Sequence, residues 1–227
     1  MRLPSSLIAV ILLVAAVMAA SVAPATAQGG WPVFDSSEVM DASSPLSFSI
    51  RYPPLFARSR PDLSDNPSVR EFYGDLAPMA AGNLVQNFHH VEPGIGRFTV
   101  LNIVQGVSTE EEKALLEQMG FALIWEFLGR RIAAWLGASF DGSRSFSFRG
   151  HEALEWYRTA SEATEAGEAY SSLDVQRIVR KGDHYLILNC FVNVPSVQAL
   201  SGRWSSSSNP VLDAWCRPFF DSLEFRR

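Results

Sequence analysis

Two cysteines in 227 residues, with no Cys-x-x-Cys pair, leave no dithiol redox centre in this chain. No Gly-x-Ser-x-Gly segment and no Walker-type loop occurs, so neither a nucleophile elbow nor a phosphate cradle is available. Gly94-Ile95-Gly96 has Thr99 where a third glycine would stand, and it falls between strands, which excludes a dinucleotide-binding turn. Basic residues are few and scattered. Nineteen Lys and Arg against 24 Asp and Glu give a net charge of −5. That balance argues against a nucleic-acid partner and against a polybasic membrane surface. Beyond the first two dozen residues, no stretch is apolar over spanning length.

The beginning of the chain is the exception. Leu7 to Ala20 carries no charge, Arg2 precedes it, and Ala25-Thr26-Ala27 follows Pro24. A basic end, an apolar segment and small residues at two alternate positions form a secretory leader cut before Gln28. The alternative is an uncleaved anchor, since Ser6 to Ala23 reaches the lower length limit for a spanning helix. An exported protein, periplasmic or extracellular, is expected. Removal of 27 of 227 residues leaves 200, enough for one domain with a substantial core. The apolar fraction of 47% and the charged fraction of 19% are those of a globular protein.

Export gives the two cysteines an oxidising compartment. In Tyr185 to Val192, alternation places Leu186, Leu188, Cys190 and Val192 on one face of a strand. Asn209 and Pro210 are suited to open a helix, in which Leu212, Trp215, Cys216 and Phe219 form one stripe. A helix laid on that strand brings Cys190 to Cys216, so a disulfide is predicted, with two buried thiols as the alternative.

Gln28 to Pro45 reads as a loose N-terminal arm. Phe48, Ile50 and Tyr52 alternate with polar residues as a half-buried strand, which Pro53-Pro54 ends. From there to Asn83 five prolines predict irregular structure, with a short helix near Val69–Tyr73. Strands are predicted near Leu84–Val91 and Arg97–Val104, joined through Glu92 to Gly96. Ser108 with Glu111 suggests a capping box opening a helix that Gly120 divides and Gly137 stops. Further strands are expected around Phe146–Phe148, from His151 to Thr159, at Leu173–Arg180 and at His184–Asn193. The last two pair through Lys181-Gly182-Asp183. Ser161 to Ala169, rich in Ala and Glu, is expected as an exposed connection. Strands joined by hairpins, with helices between groups of strands, predict an α+β fold: a mainly antiparallel sheet covered by helices, α/β/α sandwich-like.

Phe48-Ser49-Ile50-Arg51-Tyr52-Pro53, Gly150-His151-Glu152-Ala153 and Pro218-Phe219-Phe220-Asp221-Ser222-Leu223-Glu224-Phe225 resemble segments of PsbP/DcrB-like domains. The resemblance implies a single domain over residues 46–227, an antiparallel sheet between helices. That superfamily includes extrinsic photosystem proteins, bacterial envelope proteins and a Ran-binding nuclear factor. Its members share a fold without a shared catalytic site, so no functional residue transfers, and no cofactor is implied.

Chemistry is sparse. His89 and His90 are adjacent on a strand and point to opposite faces. His90 with Glu92, joined by His151 or Glu152 across the sheet, is the one candidate metal site, and it would suit a metal-assisted hydrolase. His151-Glu152-Ala153-Leu154-Glu155 lacks the second His of a zinc-protease helix. The carboxylates of Glu110–Glu112 and of Glu162, Glu165 and Glu168 suit a helix start and a solvated connection. Phe121 to Leu128 is apolar nearly all round, more than one buried face requires. Either it is packed between the sheet and the Pro-rich segment, or it is exposed for a partner or a membrane surface. The expected function is therefore a non-enzymatic envelope binding or accessory protein. Its contact surface would include Phe121, Trp125 and Leu128, with Phe72 and Tyr73 of the Pro-rich segment.

Overall fold

A computed structural model of the chain describes residues 30–41, 44–59, 84–92, 97–108, 110–135, 137–163, 169–195 and 212–226. Phe72, Tyr73, Asn209, Pro210 and the leader lie outside the described residues.

Seven strands form the main sheet: β3 (Ala57–Ser59), β4 (Leu84–Glu92), β5 (Arg97–Val107), β6 (Ser139–Phe148), β7 (His151–Ala163), β8 (Ala169–Lys181) and β9 (His184–Pro195). Their spatial order is β3-β4-β5-β9-β8-β7-β6, and every neighbouring pair is antiparallel. Two-residue turns set the register of two hairpins. Arg149 and Gly150 join β6 to β7 with φ of 51° and 82°, the left-handed pair of a type I′ turn. Gly182 takes φ 62° ahead of Asp183, so that Lys181 pairs with His184. The segment expected as an exposed connection is shorter than predicted. β7 runs to Ala163 and β8 begins at Ala169, because cross-strand pairing continues as far as Ala163 opposite Ala169.

A second sheet has the order β1-β2-β10, from β1 (Val33–Asp35), β2 (Phe48–Arg51) and β10 (Glu224–Phe225). Here the prediction of a loose arm to Pro45 is corrected. Trp31 and Phe34 are buried, and Asp35 closes a reciprocal capping box with Glu38 over the turn Ser36–Glu38. Two aromatic side chains with apolar surface to bury outweigh the Gly- and Ser-rich composition around them.

The front face of the main sheet carries the larger core. Phe88, Leu101, Cys190 and Val175 lie in register across four strands. Against them pack the small sheet and helix α3 (Arg217–Asp221), which is preceded by the π-helical turn Leu212–Cys216. Phe88 meets Phe34 at 5.9 Å, Tyr52 at 4.4 Å and Phe219 at 5.9 Å between ring centres. Leu212, Trp215, Cys216 and Phe219 are all buried, as their spacing predicted. The Cys190–Cys216 disulfide is present, with Cα atoms 5.7 Å apart. It links the front face to the C-terminal layer.

Buried charge also holds that layer in place. The Arg177 guanidinium donates to Glu155 at 2.7 Å and to Asp221 of α3 at 2.6 Å, and Tyr157 donates to Glu155 at 2.6 Å. Burial would raise the Glu155 pKa, but the Arg177 charge and these hydrogen bonds outweigh it and hold the carboxyl below its usual range.

On the back face lie α1 (Glu110–Met119) and α2 (Phe121–Trp135), packed on Leu154, Trp156 and Ile178. Gly120 separates them at φ 82°, donating to the Leu116 carbonyl at 2.9 Å. Helix α1 begins at Glu110, one residue later than a cap at Ser108 would set. The Ser108 amide is committed to the Asp183 carbonyl at 2.8 Å. The α+β class and the helix-covered antiparallel sheet are as predicted. The front layer adds a small sheet to its helix.

Candidate functional site

Helix α2 reaches the back face through its one glycine. A Cβ on Gly129 would lie 1.8 Å from the Trp156 ring, so only glycine lets the helix backbone rest there. Trp156 is held in turn by Phe140 at 6.0 Å and by the Arg158 guanidinium at 5.0 Å. Glu126 fixes the rotation of the helix, accepting from Ser143 of β6 at 2.6 Å and from Arg130 at 2.7 Å. Those two bonds lower its carboxyl pKa, that from Ser143 most.

A second glycine admits the other wall. The Tyr185 ring lies across Gly106 of β5, where a Cβ would come within 2.0 Å of it. Tyr185 then meets Trp125 edge-on at 5.1 Å, and Trp125 meets Phe121 at 6.3 Å. Lys113 bridges Glu110 at 2.7 Å and Asp183 of the β8–β9 turn at 3.0 Å, which anchors α1 beside Tyr185.

Between these elements is a cavity of about 370 Å³, lined by Leu116, Met119, Ile124, Trp125, Phe127 and Leu128 with Tyr185 and Ser108. Among the described residues no carboxylate or amine lines it. Its outer rim is apolar as well: Leu123 is 55% and Phe127 52% exposed, and Met119, Leu128 and Ile132 are also exposed. Packing of α2 between the sheet and the Pro-rich segment, one of the two expectations, involves residues 60–83, which lie outside the described residues. Among the described side chains of α2, only Phe121, Gly129 and Ala133 are fully buried against the sheet. Ala122 and Trp125 pack beside them, while Leu123, Phe127, Leu128 and Ile132 are exposed. Sequence reasoning singled out Phe121 to Leu128, with Phe121, Trp125 and Leu128 as contacts, and missed Leu116 and Tyr185. These last belong to ordinary amphipathic and alternating patterns until the helices are docked.

The histidines are not brought together. His90 is buried on the front face between Phe56, at 5.4 Å, and Trp215, at 5.6 Å. His151 starts β7 and packs on Phe225 at 5.0 Å. The register carries His90 through Thr99, Val192 and Leu173 to Thr159, not to His151. Four strand spacings amount to ~19 Å, and the eight residues from Thr159 to His151 add ~26 Å along the strand. Glu152 pairs with Arg180 at 3.1 Å, and the Glu92 side chain lies outside the described residues. The predicted metal cluster is therefore not assembled from His90 and His151. His89 lies on the back face with its pKa lowered by burial, its Nδ1 3.4 Å from the Ser59 hydroxyl.

No family profile matches the chain, and no curated protein is similar to it in sequence. Among solved structures it is similar to the cyanobacterial PsbP of Synechocystis sp. PCC 6803, with a TM-score of 0.47 and 6% identity over 91% of this chain and 98% of that one. It is also similar to LpqN of Mycobacterium tuberculosis, described as involved in cell envelope biogenesis. There the TM-score is 0.42 and the identity 9%, over 88% of this chain and 93% of that one. For the Ran-binding protein Mog1p of Saccharomyces cerevisiae the values are 0.39 and 11%, over 86% and 96%. All three TM-scores lie below 0.5. No residue, ligand or activity is carried over from these structures.

Proposed function

We propose that this is an exported, non-catalytic binding or accessory protein of the cell envelope that takes an alkyl group into the α1–α2 cavity. The observation that carries the reading is the lining: among the described residues it is apolar side chains with two hydroxyl-bearing residues and no charged group. Transfer of apolar ligand surface out of water supplies about 25 cal/mol per Å² there, with no polar group left unpaired. Export is supported by the leader pattern and by the Cys190–Cys216 bond, which persists in oxidising compartments. The test is titration with the fluorescent fatty acid cis-parinaric acid, read by energy transfer from tryptophan. Saturable binding, weakened at least about tenfold by Trp125→Glu and by Leu128→Glu, is expected, since either change buries a charge against the ligand. Binding that neither variant weakens would refute it.

A second reading rests on the outer face of α2. Leu123 and Phe127 project outward there, and the Arg131 guanidinium lies 5.7 Å from the Phe127 ring. An apolar ridge with arginines beside it suits shallow contact with a membrane surface. Among the described residues no helix is long and apolar enough to cross one. Co-sedimentation with anionic vesicles, abolished by Phe127→Glu but not by Trp125→Phe, would favour this reading over capture of single molecules.

A further inference from the structure

Among the described residues, the two hydroxyl-bearing side chains of the apolar cavity stand together at one end of it. Gly106 of β5 pairs with Tyr185 of β9, and Val107 with His184, so Ser108 follows two residues after the glycine that the Tyr185 ring crosses. The Ser108 amide donates to the Asp183 carbonyl at 2.8 Å, which holds the serine against the β8–β9 turn beside Tyr185. Both residues line the cavity. Ser108 is buried, whereas Met119, Phe127 and Leu128 of the same lining are exposed. The hydroxyls therefore lie at the inner end, and the open side is apolar.

Charged groups flank that inner end without lining it. Lys113 is shared between Glu110 at 2.7 Å and Asp183 at 3.0 Å. Arg180, the register partner of Tyr185, binds Glu152 at 3.1 Å and the Gly182 carbonyl at 2.9 Å. Lys181 is turned away, over the Phe225 ring at 5.1 Å. Lys113 and Arg180 are thus already committed to the carboxylates of Glu110, Asp183 and Glu152. An acidic head group would come to lie beside Asp183 and Glu110, with the nearby cations held by other partners. An ammonium head group would find every nearby carboxylate paired. Either ion would lose its water against two neutral hydroxyls, at far greater cost than a neutral hydroxyl pays. A hydroxyl both donates and accepts, as do those of Ser108 and Tyr185, so all three can be satisfied alongside other partners.

We propose that the cavity selects a long-chain alcohol, or another lipid whose head is an uncharged hydroxyl. It binds head inward on Ser108 and Tyr185, with its chain along Leu116, Trp125 and Leu128. This rests on the alkyl-binding reading of the cavity and adds the head group and its direction. The rival anchor is the exposed Arg131, 5.7 Å from the Phe127 ring, which would hold a carboxylate head outward.

The test is displacement of the hydrocarbon fluorophore 1,6-diphenylhexatriene from the purified protein by 1-decanol, decanoate and decylammonium at neutral pH. Decanol is expected to displace the probe at a concentration at least about tenfold below that of either ion. Tyr185→Phe and Ser108→Ala should each weaken decanol about fivefold and leave the affinity of the fluorophore, which has no polar atom, unchanged. Displacement by decanoate or decylammonium as effective as by decanol would overturn the proposal while leaving the alkyl cavity standing. So would decanol binding that neither variant weakens, or fluorophore binding that falls as much as decanol binding does. Failure of the fluorophore to bind would refute the alkyl cavity itself, and this proposal with it.

Discussion

Replacing Gly129 by alanine sets two physical effects of opposite sign against each other. In an exposed helix interior the change stabilises by about 1 kcal/mol, through lower backbone entropy in the unfolded chain and better helix propensity. At this position the new Cβ would stand 1.8 Å from Cε3 and 2.0 Å from Cζ3 of Trp156, and 2.8 Å from Cε2 of Phe140. Ordinary carbon contacts lie at about 3.5–4.0 Å, so α2 must rise by roughly 1.7 Å or the indole must move. The indole has little freedom, being 2% exposed and packed on Phe140 with Arg158 over its ring. A clash of that size belongs at the upper end of overpacking costs, about 3 kcal/mol. The net loss is then about 2 kcal/mol, or roughly 4–8 °C in melting temperature for a domain of this length. Urea denaturation followed by circular dichroism reads the loss directly. The double variant with Trp156→Leu separates the causes. With the indole gone, Gly129→Ala should cost nothing or stabilise by up to about 1 kcal/mol. Because α2 also forms the cavity, Gly129→Ala alone should weaken fatty-acid binding. A Gly129→Ala protein as stable as the parent, with Trp156 intact, would refute the close-approach reasoning.

Other outcomes follow from the front layer. Glu155→Gln removes the charge facing Arg177 and should cost about 3–5 kcal/mol in denaturant unfolding, since it leaves a buried guanidinium incompletely paired. The folded-state pKa of Glu155 lies below its unfolded value, so its contribution is present above about pH 4.5 and is lost as pH falls through the lower folded value. Acid unfolding monitored by tryptophan fluorescence should therefore be shallower in Glu155→Gln than in the parent. Reduction, or the Cys190→Ser with Cys216→Ser pair, opens a link between residues 26 apart in sequence and should cost about 3 kcal/mol. Matched unfolding curves with and without reductant measure it. An unchanged midpoint would show that the bond adds nothing to stability.

What was legible in the sequence is what depends on neighbours along the chain. Alternation in Phe48–Tyr52 and His184–Asn193, the dividing Gly120 and the turn at Gly182 each state a local backbone preference, and the structure follows them. Cys190 and Cys216 were identifiable as partners because each sits on a plainly apolar stripe, and two such stripes pack together. Other features were decided by which elements meet. Val33–Asp35 looks like part of a flexible arm until β2 offers it an edge and Phe88 a surface. His90, Glu92 and His151 looked compatible because the sequence does not say that β5, β9 and β8 stand between β4 and β7. The cavity lining joins α1, α2 and β9, whose apolar residues were individually unremarkable. The cross-strand row Asn87, Asn102, Asn189 and Gln176 of β4, β5, β9 and β8 is the clearest case. Its members stand on four different strands, a pattern without meaning in any single segment. Only pairing register, a long-range property fixed by how every strand buries its front face, places them side by side.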